Sequence, residues 1–100
     1  MPESGAIIVY RLPPGVPPAR RVRFQENVWG QTRTARGYTV RRHGALERIP
    51  LWRVGRGVVV VRADNAAQVV KELRQWKAEV RWWSIQLEAE QSRRLRAGIS

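Results

Sequence analysis

Few residues in this chain could do covalent chemistry. There is no Cys, and His43 is the single His. Thiol catalysis, disulfides, zinc ribbons and iron–sulfur sites are therefore excluded, and a histidine-based metal site has too few ligands. Asp64 is the only Asp, and Glu47, Glu72 and Glu79 are the nearest other acids in sequence. A metal-dependent nuclease would need two or three of these on one cation. Their spacing does not force it. Asp64 suits the start of a helix, and Glu72 and Glu79 flank an apolar seam where they balance Lys71, Lys77 and Arg residues. Ser84 or Ser92 could join His43 and Asp64 in a triad, but neither serine sits in a nucleophile elbow. Gly55-x-Gly57 falls short of a phosphate loop. The expectation is a protein that is not an enzyme and takes no metal or cofactor.

The basic residues carry more information. Nineteen Lys and Arg stand against eight acids, a net charge of +11. Seventeen of the nineteen are Arg, and only Lys71 and Lys77 are Lys. Arg presents a planar fork to phosphate and a flat face to bases. A GC-rich genome or a thermophile's ion-pair chemistry accounts for Arg over Lys. Neither accounts for the imbalance, because an ion-paired surface needs as many acids as bases. Arg11 to Arg62 holds twelve Arg and two acids, whereas Ala63 to Ser100 holds seven bases and five acids. An electrostatic surface belongs in the first part, and the balance points to a nucleic acid.

These residues must be positioned by a small fold. One hundred residues make one domain, and 43% hydrophobic content with five Trp is that of a folded chain. The longest apolar run, Val58 to Val61, cannot span a bilayer, and the N-terminus lacks the pattern of a signal peptide, so no membrane partner and a cytoplasmic location are expected. Residues 1–62 read as a basic, β-rich part. Ala6 to Tyr10 is a short β-branched strand. Pro13 to Pro18 is a stiff loop. Arg20 to Gln25 alternates, with Val22 and Phe24 opposite Arg21 and Arg23. Gly37 to Arg42 alternates again, and His43-Gly44 has the look of a hairpin turn. Ala45 to Val54 resumes with Pro50 at an edge or kink, and Gly55-Arg56-Gly57 turns the chain into Val58 to Val61.

Residues 63–98 read as one long amphipathic helix. Asn65 and Gln68 resemble a capping box, no Pro or Gly interrupts Ala66 to Ala97, and Gly98 is a stop. Leu73, Trp76, Val80, Trp83 and Leu87 are spaced as a coiled-coil seam, with Ala78, Trp82, Ile85 and Ala89 on the other side. Two apolar faces predict two contacts, one with the sheet and one with a second copy of the helix.

The expected fold is α+β: an N-terminal antiparallel sheet of about four or five strands, then one long C-terminal helix that packs on it and dimerises. The expected function is sequence-tolerant binding of single-stranded DNA or RNA by a homodimer. The candidate binding residues are Arg21, Arg23, Tyr38, Arg41, Arg42, Arg48, Trp52, Arg53 and Arg56, with Trp52 the best placed of the rings to be exposed. The alternative is an Arg-rich dimeric adaptor that binds an acidic protein or a ribonucleoprotein. Duplex binding would need an element for the major groove, and the helix is the only one expected; its middle is apolar rather than basic, so duplex binding is expected to be weak and mostly electrostatic.

The Arg and aromatic strands (Arg21-Val22-Arg23-Phe24, Tyr38 to Arg42, Trp52-Arg53) followed by the seam at Leu73, Trp76, Val80, Trp83 and Leu87 resemble, as an architecture, the ThermoDBP-type archaeal single-stranded DNA-binding proteins. That resemblance covers most of the chain. It implies a dimer made by the C-terminal helix and a cleft with an apolar base and a basic rim.

Overall fold

The computed structural model describes residues 3–96. Their order is β1 (Glu3–Arg11), α1 (Pro18–Trp29), β2 (Gln31–Ala35), β3 (Tyr38–Arg42), β4 (Leu51–Gly55), β5 (Val58–Arg62), α2 (Ala63–Gln75), β6 (Glu79–Leu87) and α3 (Ala89–Arg96). Four strands form an antiparallel sheet in the order β4-β5-β1-β6, and β2 pairs with β3 in a separate two-stranded ribbon. Without the ribbon, the chain runs β-α-β-β-α-β with the strand order of a split βαβ unit.

The period-2 pattern of β1 divides the sheet. Ala6, Ile8 and Tyr10 point to one face, where they meet Val59 and Val61 of β5, Phe24 and Val28 of α1, and Val69 and Leu73 of α2. Leu46 and Ile49, from the segment before β4, complete this core. Among the described residues the opposite face is packed by α3 alone, whose Leu95 buries with Val60 and Leu87 against Ile7, Trp52 and Ile85. β5 is covered on much of both faces, and Val59, Val60 and Val61 are all buried.

Three expectations are corrected. First, Arg20 to Gln25 is not a strand. Pro18 occupies the start of α1, where its missing N–H is no loss, and Phe24 and Val28 bury at helical spacing. Second, the hairpin turn is at Arg36-Gly37, not His43-Gly44. Both Arg36 and Gly37 have positive φ, as a type I′ turn requires. Residues 43–50 are irregular and bring Leu46 and Ile49 inward.

Third, there is no long C-terminal helix. α2 ends at Gln75 in a Schellman motif. The Ala78 amide donates to the Leu73 carbonyl at 3.2 Å and the Lys77 amide to the Arg74 carbonyl at 3.0 Å. Lys77 takes the left-handed conformation (φ 69°) that glycine usually fills. Beyond it, Val80, Trp82, Trp83 and Ile85 favour a strand, and β1 offers nine residues of pairing. The predicted stop at Gly98 lies outside the described residues.

The seam is dismantled with the rod. Leu73 faces the core, Trp76 caps α2 half-buried, and Val80 lies in β6 on the helix-covered face. Trp83 and Leu87 lie in β6 on the other face. The dimer expected through a long C-terminal helix, which the ThermoDBP-type resemblance also implied, has no such helix to form it, since α3 is eight residues long.

Lys77→Gly tests this boundary by its sign. At a left-handed cap it should raise stability by about 1 kcal/mol, because a side chain is strained there. Within a continuous helix the same change would cost about 1 kcal/mol. A lowered melting temperature would restore the rod.

Candidate nucleic-acid interface

The open face of the sheet is built by register. Trp52 of β4 pairs with Val60, Val60 with Ile7, and Ile7 with Trp83 of β6. These four residues form one row across all four strands. Neighbouring strands are about 4.8 Å apart, so the two Trp backbones lie about 14 Å from each other. The next row holds Val58, Val9 and Arg81. α3 packs over Val60 and Leu87 and partly covers Ile7, Trp52 and Ile85, which leaves Trp83, Arg81 and Val9 exposed. Trp83 is 54% exposed and Val9 38%. Trp52 is half-buried against the small cluster under α3. A half-exposed indole beside an arginine offers a stacking surface and a phosphate partner together.

The cations expected on one sheet face are dispersed over several elements. Arg21 and Arg23 are exposed on α1, and Arg48 is exposed in the segment before β4. Arg56 lies in the β4–β5 turn. With Arg11, Arg21 and Tyr10 it lines a cleft of about 730 Å³ between the end of β1 and α1. Arg11 itself pairs with Glu79 at 2.9 Å, and Arg62 with Glu3 at 2.6 Å.

Arg53 and Arg41 meet at Trp29. The Arg53 guanidinium lies 4.0 Å from the Trp29 ring centroid. The Trp29 indole donates to the Tyr10 hydroxyl at 3.2 Å, and its carbonyl accepts from Arg41 at 3.2 Å. Burial pushes the Tyr10 phenol above its ordinary value, against the opposing pull of the Trp29 hydrogen bond and the Arg53 charge. Arg41 also pairs with Glu47, whose other carboxylate oxygen bonds His43 Nδ1 at 2.7 Å. These contacts brace the root of the ribbon, so Arg41 and Arg53 are structural as well as cationic.

The ribbon carries the remaining two candidates, Tyr38 and Arg42. Its register puts Gln31, Arg33, Ala35, Tyr38, Val40 and Arg42 on one face, and Thr32, Thr34, Thr39 and Arg41 on the other. Apart from Gln31 at its base, its residues are exposed, and Tyr38 is 74% exposed.

The structure thus separates Trp52 from the arginines grouped with it in sequence. It also adds residues that were assigned otherwise or passed over: Trp83, Arg81, Arg33 and Arg36. The signal for the first two was the aromatic and β-branched run Val80 to Ile85. The signal for the others was the alternation of Thr32, Arg33 and Thr34. Among the described residues no group of His, Asp and Glu could hold a metal ion, and no helix is long and apolar enough to cross a membrane. No protein-family model matches the chain, no curated protein matches it, and no solved structure matches it.

Proposed function

We propose that the chain binds single-stranded nucleic acid with little sequence preference, using the open face of the four-stranded sheet. The observation that carries this is Trp83, 54% exposed at the end of a row whose other members (Ile7, Val60 and Trp52) pack under α3, with Val9 and Arg81 exposed beside it, in a chain of net charge +11. Unpaired bases lie on exposed rings, and a sheet that displays them is a recurrent way to hold a single strand. Arg81 shares this face, and the general positive field draws the strand in. A duplex hides its base faces and gains only the electrostatic part on this surface.

The test is a titration followed by intrinsic Trp fluorescence. Single-stranded DNA, single-stranded RNA and blunt duplex DNA of equal length are compared at low and moderate salt. Quenching by the single strands that persists at moderate salt supports stacking. Equal binding of all three that vanishes with salt would reduce the effect to that of a plain polycation. The proposal would then give way to an Arg-rich adaptor.

A further inference from the structure

Among the described residues the β2–β3 ribbon is exposed along its length beyond its root. A two-stranded hairpin is marginal alone in water, so its exposed strands have to be held by something else. Within the protein only the root is fixed. Arg41 spans Thr32, the Trp29 carbonyl and Glu47, and Gly44 lies so close to the Val28 carbonyl and the Gly30 amide that no Cβ fits. From this root the strands extend five residues each, about 17 Å at ordinary strand rise.

The chemistry of the ribbon names its partner. Residues 31–42 contain four Arg, three Thr, one Tyr and no acid. Arg33 and Arg42 flank Val40 on one face, and Arg36 sits at the tip. The B-form major groove is about 12 Å wide and admits a two-stranded ribbon, with phosphates on both walls for Arg. The ribbon and the open sheet face also meet. Arg53 of β4 lies over Trp29 at the ribbon root, and its neighbour Trp52 points to the open face.

We propose that the β2–β3 ribbon is an arm that enters the major groove of a DNA duplex, and that the ligand is a DNA single strand running into a duplex stem. This rests on the reading of the sheet as a single-strand platform and extends it. The stem lies along the arm while the unpaired strand crosses the sheet. Joining the two contacts on one ligand raises affinity through effective concentration, with no new surface needed.

Fluorescence anisotropy on the whole chain tests this with labelled ligands. They are a single strand, the same strand carrying a DNA stem, the strand carrying an RNA stem, and the blunt DNA stem alone. The DNA-stemmed strand should bind at least roughly tenfold tighter than the plain strand. The RNA stem should add little, because its major groove is too deep and narrow. The variant R33T/R36N/R42T keeps residues that suit the strands and the turn. It should remove the advantage of the DNA stem and lower the salt slope by up to about 3, while affecting the plain strand less. An equal loss on stemmed and plain strands would overturn the arm, as would an equal advantage from an RNA stem or no advantage at all. Trp83→Ala, run in parallel, separates the two readings. If it leaves the plain strand unaffected, the platform fails, and the arm is then judged on the blunt stem and its loss in the triple variant.

Discussion

Leu73→Ala should lower the melting temperature by roughly 10–30 °C, and by the same amount at every protein concentration. Leu73 is fully buried, packed in the core with Val69, Ile8 and Val59. Truncating such a side chain costs about 2–5 kcal/mol through lost transfer energy and the cavity left behind. A domain of this size has only about 5–15 kcal/mol in total. The concentration clause separates two structures. In a helical dimer seam, Leu73 would stabilise association, and its loss would weigh more heavily in dilute protein. In the observed fold it stabilises its own chain. A thermal melt over a wide concentration range decides. A deficit that grows on dilution would return Leu73 to an interface between chains.

Trp83→Ala should weaken single-strand binding by about 1–3 kcal/mol, roughly 5- to 150-fold, with the salt slope unchanged. The ring is half exposed and carries no charge, so its removal takes away stacking and leaves phosphate contacts in place. Its cost to folding should be small beside that of Leu73→Ala, because about half of the side chain already faces water. Trp52→Ala makes the contrast. That ring packs with Val60, Leu87 and Leu95 under α3, so folding and binding should suffer together. Affinity of the Trp83 variant equal to that of the wild type would exclude the sheet face as the platform.

The ribbon root bears on how much was legible. Tyr38 to Arg42 reads as a strand in sequence and is one. The root is invisible there, because Gly44 resembles a turn glycine and is instead a point of backbone contact. The exposure of the ribbon is equally hidden. Alternating Tyr38 and Val40 suggests a half-buried strand, yet both side chains are exposed.

By itself the sequence determined the charge excess and its place in the first part of the chain, the absence of thiol and histidine-cluster chemistry, and the central Val strand. The first two depend on composition alone, and the third on four consecutive β-branched residues that favour a strand locally. Only the tertiary structure decided where helix gives way to strand after Gln75. Local preference allowed a helix through Trp76 and Lys77, with no Gly or Pro to stop it. The nine-residue pairing of β6 with β1, and the burial of Leu73 with Ala78 at the cap, favour the break. A seam spaced for a coiled coil was thereby divided between a helix and a strand. A heptad and a strand can share the same apolar residues, and only long-range pairing selects between them.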